Sequence, residues 1–374
     1  MIPWFVRKPV RRARNALAAE RATRRQGERW SAIAATPART GEVAVSYGLD
    51  RMPGPDDVVI GGGVKFLELD EHLPNAERDF NVLYLGSSSI PIDARKLVRL
   101  ARRRGAAFVW NQNGVAYPGW YGPGWELVNG PRARLLRQAD HVFYQSSFCK
   151  LSADRFYGEP AGGWEILHNP VDTRRFAPAP SPQRPLTILL GGSQYQRYRV
   201  VAALETLAIV RRELPDARLR IAGAMTFSTD GEAETSELAH RLGVAGAVEF
   251  TGPYTRDAAP ALMRTADVLL HTKYNDPCPT VVLEAMSSGL PVVYSASGGT
   301  PELVGEEGGV GIPAPLDWQR DHPPPPEQLA AAILSVLDRI DELGHAARAR
   351  AVEQFDVRRW VERQRAVFER LVLA

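Results

Sequence analysis

The stretch Asp276-Pro-Cys-Pro-Thr-Val-Val-Leu-Glu284 continues into Ala-Met-Ser-Ser-Gly289-Leu-Pro-Val-Val, and soon after comes Ser-Gly298-Gly299-Thr-Pro301-Glu302-Leu-Val. It reads as a loop, a short helix over Thr280 to Ser288 and a strand over Pro291 to Tyr294. Glu284 then falls about one turn inside the helix, while Asp276 lies in the loop before it. The first amides of a helix lack internal partners and carry the positive end of its dipole, which suits an anion. Pro277 and Pro279 have no N–H to offer, so the available donors are Cys278, Thr280 and Val281. Each carboxylate can serve a different part of one ligand.

Outward from this block the same rhythm repeats. Upstream, the sequence predicts strands at Leu186 to Leu190, Arg218 to Ala222, Val248 to Thr251 and Val268 to His271, with helices over about 200–214, 235–242 and 258–265 between them. This βα alternation is that of a parallel, doubly wound sheet. A comparable series precedes it: strands at Glu42 to Tyr47, Phe80 to Leu85, Ala106 to Trp110, His141 to Gln145 and Trp164 to Leu167, and helices from Gly61-Gly62-Gly63 onward and over Ala94 to Arg104. Ala177 to Pro185 holds four prolines in nine residues and reads as an extended linker. Two last helices, about Glu327 to Leu343 and Val357 to Leu371, follow the proline run 323–326. The expectation is an α/β chain of four parts. They are a basic helical arm (1–40), a Rossmann-like acceptor domain (41–180), a Rossmann-like donor domain (181–353) and a final helix (354–374) crossing back to the first domain. Tandem domains of this kind bind ligands in the cleft between the carboxyl ends of their sheets.

Composition agrees with a globular chain: of 374 residues, 44% are apolar and 24% charged, and the formal charge is +3. The positive excess sits in residues 1–30, with nine Lys/Arg against Glu20 and Glu28. That pattern excludes a uniformly basic nucleic-acid binder and points to a basic arm on a near-neutral body. Cys149 and Cys278 are too few for a disulfide framework or a structural zinc site, which fits a reducing cytosol. The start of the chain lacks the order of charge and apolar run found in signal peptides, and no stretch reaches the length of a membrane helix.

The 276–304 block resembles the signature of GT-B glycosyltransferases of family 4, the group 1 type: two acidic residues separated by seven, a helix, a G-x-PV strand and a GG-x-PE turn. Asn169-Pro-Val-Asp172 with Phe176 resembles that family's turn at the end of the first domain. The resemblance implies a GT-B fold, two Rossmann-like domains facing a central cleft. It also implies a retaining transfer of sugar from a nucleotide diphosphate sugar to a glycan or lipid-linked acceptor. It places Glu284 on the nucleotide ribose and Asp276, where the family usually has Glu, on the donor sugar. Gly62 and Gly63 match its glycine-rich turn near donor and acceptor. No Asp-x-Asp pair occurs, so the leaving diphosphate falls to cationic side chains and no cofactor is expected. The family's Arg/Lys pair lies where this chain has Gly191-Gly-Ser-Gln-Tyr-Gln-Arg197-Tyr-Arg199; Ser193 and Tyr198 fall nearest its positions, with Arg197 and Arg199 as substitutes and Lys273 as a further cation.

On the acceptor side Asn113 stands where many relatives have histidine, leaving His168 and His271 as other candidates for a base. The aromatic loop containing Tyr117 and Trp120 either packs as a lid or presents ring faces to a sugar or lipid. Trp4 and Phe5 beside clustered cations suit an anionic membrane surface, a peripheral site on the inner membrane face. Two other readings of the same residues are a non-catalytic nucleotide-sugar-binding paralogue and a different GT-B enzyme such as an epimerase.

Overall fold

The computed structural model describes residues 27–49, 52–54, 61–91, 93–179 and 185–373. Residues 27–35 are helical (α1). The first sheet holds β1 (Val45–Ser46), β2 (Val82–Gly86), β3 (Ala107–Gln112), β4 (His141–Tyr144) and β5 (Gly163–Ile166), all parallel in the order β1-β2-β3-β4-β5. Around it lie α2 (Gly61–Asp70), α3 (Ala94–Arg103), α4 (Pro118–Tyr121), α5 (Trp125–Leu136) and α6 (Ser147–Phe156). β2, β3 and β4 are near-continuous apolar runs because both faces are covered, as parallel sheets require.

The second sheet holds β6 (Thr187–Leu190), β7 (Arg218–Ala222), β8 (Val248–Gly252), β9 (Val268–His271), β10 (Val292–Ala296) and β11 (Gly309–Pro313). Its helices are α7 (Arg197–Val210), α8 (Gly231–Arg241), α9 (Ala259–Met263), α10 (Thr280–Ser287), α11 (Thr300–Val304), α12 (Pro326–Leu337) and α13 (Ile340–Gln354). The strand order β11-β10-β9-β6-β7-β8 reverses direction of winding between β6 and β9. Loops leaving those two strands diverge, which opens a crevice at their carboxyl ends.

The last helix, α14 (Val357–Leu373), lies on the first sheet. Val357, Trp360, Val361, Val367 and Phe368 share one cluster with Val45, Tyr47, Phe66, Tyr84 and Phe143. Inside it the Gln364 amide donates to the Tyr84 hydroxyl at 3.0 Å, and the Phe368 ring meets Tyr84 edge-on with centroids 5.7 Å apart.

Several expectations change. The strand read over Glu42 to Tyr47 pairs at Val45–Ser46 alone. The helix read over Glu327 to Leu343 is two helices, broken at residues 338–339. β11 escaped the sequence reading because Gly309-Val-Gly-Ile-Pro resembles a turn. A Cβ on Gly309 would stand 1.9 Å from the Val292 carbonyl, so that strand can lie against β10 only with glycine there. α5 was hidden by Gly130-Pro131 inside it. Linker residues 180–184 and arm residues 1–26 lie outside the described residues.

Candidate functional site

A cleft of about 630 Å³ lies between the two sheets, lined by residues of both domains. On the second-domain wall β6 runs into Gly191-Gly192-Ser193. Gly192 is at φ +86°, and Gly223, at φ +105°, lies so close that a Cβ there would stand 2.2 Å from the Gly192 carbonyl. Only glycine lets the two strand ends meet and leaves the backbone bare toward the cleft.

Arg199, in the first turn of α7, fills the space behind this turn. It is 3% exposed, yet it lines the cleft. Its Nη1 donates to the Ser193 carbonyl at 2.7 Å and its Nη2 to the Gly191 carbonyl at 3.4 Å, while Nε has no hydrogen-bond partner. A buried guanidinium bonded to carbonyls alone retains its full charge for an incoming anion.

Across the crevice the loop after β9 carries Lys273, Asn275 and Asp276. The Asp276 Oδ2 is 3.1 Å from both the Lys273 Nζ and the His271 Nε2. Burial alone would raise the Asp276 pKa, but Lys273 and His271 hold it well below the usual carboxylate range. Burial pushes the His271 pKa down against the pull of Asp276, so the imidazole stays neutral with its Nδ1 unpartnered. Burial also works against the Lys273 charge, and Asp276, together with Tyr195, more than restores it. Asn275 occupies the left-handed region at φ +50°. Both its side-chain polar atoms lack hydrogen-bond partners, although the Tyr117 and Tyr274 hydroxyls lie nearby.

Cys278, Thr280 and Val281 line the cleft at the start of α10, whose first amides have no intrahelical acceptor. Glu284 lines it one turn on, and its carboxylate forms no ion pair or hydrogen bond among the described residues. Burial, and after it the Glu68 charge, push its pKa up to about 8, with Arg175 and Arg256 opposing. Arg256 is itself engaged across the domain boundary: its Nη2 is 2.6 Å from the Glu68 Oε1 and its Nη1 2.7 Å from the Glu71 Oε1, both on α2.

The base of the cleft is a close contact of backbone and small residues. Pro277 presses on Gly114, where a Cβ would stand 2.6 Å from the proline Cγ. The Ser146 hydroxyl donates to the Pro277 carbonyl at 2.7 Å, and Gly299 N donates to the Asp276 carbonyl at 2.8 Å. A Cβ on Gly299 would be 2.0 Å from the Pro277 carbonyl, which is why the second glycine of the pair is needed. Glu302, from the same turn, accepts from the amides of Ser147 and Phe148 at 2.8 and 3.0 Å. A second-domain carboxylate thus caps α6 of the first domain.

On the first-domain wall Asn113, Tyr117 and Trp120 all line the cleft. The Asn113 Oδ1 accepts from Gly114 N at 2.8 Å, a local bond that shapes the turn. Tyr117 is buried, stacked on Phe156 and edge-on to Trp318, a residue of the segment after β11. Trp120 is 40% exposed at the rim. Gly62 and Gly63 form the first turn of α2, just before the cleft-lining Val64. One turn on, the Lys65 Nζ is buried and donates to the Asn111 Oδ1; burial lowers its pKa to about 8. Asn111 also accepts from Gln145, whose Oε1 accepts from Asn169, whose Nδ2 donates to the Cys278 carbonyl at 2.9 Å. This polar chain ties the glycine-led helix to the loop before α10.

The structure therefore brings together Arg199, Lys273, Asp276, Cys278, Thr280, Val281 and Glu284 on one wall and Asn113, Tyr117 and Trp120 on the other. Arg197 is a correction: it is not among the cleft-lining residues, is 57% exposed, and pairs with Glu234 at 3.6 Å. At the start of α7, two residues' difference along the helix separates an outward side chain from an inward one. Tyr198 holds the Lys273 loop, its hydroxyl accepting from Tyr274 N at 3.0 Å. His168 pairs with Glu302 at 3.3 Å and does not line the cleft. Arg132, Tyr254, Arg256 and Asn275 were missed. For Asn275 the signal was present, since Asn-Asp-Pro marks a turn that tolerates the left-handed region.

Residues 172–350 match the family model described as glycosyl transferases group 1. The chain is similar to a GDP-mannose-dependent alpha-(1-6)-phosphatidylinositol monomannoside mannosyltransferase of Mycobacterium tuberculosis, 31% identical over 258 residues, 61% of each chain. It is also similar to a D-inositol 3-phosphate glycosyltransferase of Salinispora tropica, 32% identical over 193 residues, 45% of this chain and 39% of that protein. The chain thus spans 61% and 39% of the length of these two curated relatives. Among solved structures, the glycosyltransferase WaaG of lipopolysaccharide biosynthesis superposes with a TM-score of 0.62 at 18% identity, covering 87% of this chain and 99% of that one. Sucrose-phosphate synthase from Thermosynechococcus elongatus does so at 0.64 and 20%, covering 78% and 74%. At that identity the two structures establish the fold, two Rossmann-like domains in the GT-B arrangement.

Proposed function

We propose that this chain, whose residues 172–350 match the group 1 glycosyltransferase family model and whose fold is GT-B, moves a sugar from a nucleotide diphosphate sugar to an acceptor hydroxyl, with retention of configuration. The observation that carries this reading is the second-domain wall: an unpaired carboxylate, Glu284, and a buried guanidinium without a carboxylate partner, Arg199, lining one cleft together with the start of α10. Glu284 accepts the ribose hydroxyls. The diphosphate lies against Arg199, Lys273 and the bare backbone of Gly191-Gly192, and Asp276, held ionised by Lys273, faces the sugar.

In the reaction the bond from the anomeric carbon to the diphosphate oxygen breaks and a bond to the acceptor oxygen forms. The acceptor proton leaves on the diphosphate, whose growing charge Arg199 and Lys273 stabilise. These cations supply what a metal would, so activity is expected to survive EDTA; loss on chelation with recovery on added magnesium or manganese would refute that part. The relatives named above act on phosphatidylinositol monomannoside or are named for inositol 3-phosphate, and a glycan or lipid-linked acceptor at the inner membrane face is proposed here. No helix among the described residues is long and apolar enough to cross a membrane.

The test is thermal-shift screening of uridine and guanosine diphosphate sugars, followed by turnover with the best donor and proton NMR of the product's anomeric configuration. A ligand at 100 times its Kd stabilises by about 2.7 kcal/mol. Absence of any shift removes the donor reading, and an inverted product removes retention. For the membrane reading, deleting residues 1–25 removes eight cations, each worth about 1 kcal/mol at an anionic surface. Equal vesicle binding by the full and shortened chains at low salt would end it.

A further inference from the structure

Arg132 enters the cleft from α5, and the donor site above makes no use of it. Its Nε donates to the Ser87 carbonyl at 3.0 Å and its Nη1 to the Val128 carbonyl at 2.8 Å. Two acceptors on different elements fix the guanidinium plane before any ligand arrives. Neither offsets its charge, and no Asp or Glu pairs with it among the described residues. The Nη2 carries no hydrogen bond there. Beside it stands Tyr157, 3% exposed and also lining the cleft, with a hydroxyl that has no hydrogen-bond partner, although the Gln112 side chain lies nearby. Burial raises the Tyr157 pKa and the Arg132 charge is the main opposing influence, which places the two groups within electrostatic reach.

A fixed cation and an orphaned buried hydroxyl, both facing one cavity, match an oxyanion better than a neutral polyol. The donor diphosphate does not fill this role, because its cations, Arg199 and Lys273, belong to the other domain. We infer that Arg132 and the Tyr157 hydroxyl form a subsite for an oxyanion carried by the acceptor, a phosphate or a carboxylate. This rests on reading the cleft as a glycosyl-transfer site with its acceptor on the first-domain wall.

The test is equilibrium binding of glucose, glucose 6-phosphate and glucuronate to the full chain, with uridine or guanosine diphosphate added to saturation. At least one anionic probe is expected to bind ten times or more tighter than glucose, the scale of a charge-assisted hydrogen bond. The phosphate and the carboxylate arms tell the two sources apart. In Arg132→Gln that preference should fall at least tenfold, with nucleotide affinity unchanged. Tyr157→Phe removes only the orphaned hydroxyl and leaves the helix anchors in place. It should weaken the same probe about three- to tenfold, and it decides the matter if Arg132→Gln does not fold. Glucose binding as tightly as both anions, or wild-type preference in the folded variants, overturns the subsite. If neither nucleotide binds the wild type, the donor reading fails by itself. The same anion titration on the free chain still decides the role of Arg132.

Discussion

The second-domain wall of the cleft is made of strand ends and helix starts, with Gly191, Gly192, Gly223, Pro277, Pro279, Gly298 and Gly299 setting the approach of one backbone to another. The first-domain wall is made of side chains: Tyr117 packed between Phe156 and Trp318, Trp120 at the rim, Asn129 holding both backbone polar groups of Ala116, and Arg132 braced on two carbonyls. Backbone geometry tolerates few residue types at each position, so it writes a legible pattern. Aromatic packing can be satisfied in many ways and writes none. On the function proposed above, the legible wall is the one assigned to the donor, and the illegible one is the wall assigned to the acceptor.

The largest effects expected from this division fall on turnover. Arg199→Ala and Lys273→Ala should each lower kcat by about 10² to 10³, the scale for one preorganised charge stabiliser. Wild-type kcat in both would show that the wall binds nucleotide without serving the chemistry. Next comes Glu284→Ala, which leaves two ribose hydroxyls unpaired and should weaken nucleotide binding about 10- to 100-fold, one charged hydrogen bond or more; titration calorimetry reads this directly, and equal affinity takes Glu284 out of the site.

Stability should respond to the base of the cleft. Gly299→Ala would force a Cβ to within 2.0 Å of the Pro277 carbonyl, and about 1–3 kcal/mol of destabilisation is expected from such overpacking. A Tm equal to that of the unsubstituted chain would mean that the turn shifts freely and that the two walls are not locked there.

A subtler effect is on pH. Because Glu284 has its pKa raised to about 8, the folded chain holds a proton at pH 5–8 that the unfolded chain has lost, so this group lowers stability as pH rises through that window. Bound hydroxyls favour the ionised form, so nucleotide binding should release protons near pH 7 and tighten toward pH 8. Calorimetry in buffers of different ionisation enthalpy measures the release, and Glu284→Gln should abolish it. The smallest effect belongs to Arg197→Ala, within about twofold of wild-type kcat, because that side chain is on the outer surface with Glu234.

Much of the fold was legible. β7 and β9 occupy the very residues that alternation predicts, and α10 starts at Thr280 as its prolines require. Spacing alone could not separate Arg197 from Arg199, since which cation faces inward depends on where α7 begins, and that is set by the turn at Gly192 rather than by helix periodicity. Glu302 reads in sequence as one more acidic residue in a conspicuous turn, yet its partners, the Ser147 and Phe148 amides, are more than 150 positions away. Contacts of that range leave no periodic trace. Arg132 is illegible for the same reason: its meaning lies in the carbonyl of Ser87, 45 residues upstream.

The crossing of α14 has a consequence for the order in which the chain is made. The second sheet, β6 to β11, and its helices are contiguous in sequence and can close as soon as they leave the ribosome. The first sheet is translated earlier, but its face at Tyr84 and Phe143, covered in part by Phe66 of α2, is completed only when Trp360, Gln364 and Phe368 emerge. The half synthesised first is therefore finished last, and for the time taken to translate about 200 residues part of its apolar face stands open to water, chaperones and neighbouring nascent chains.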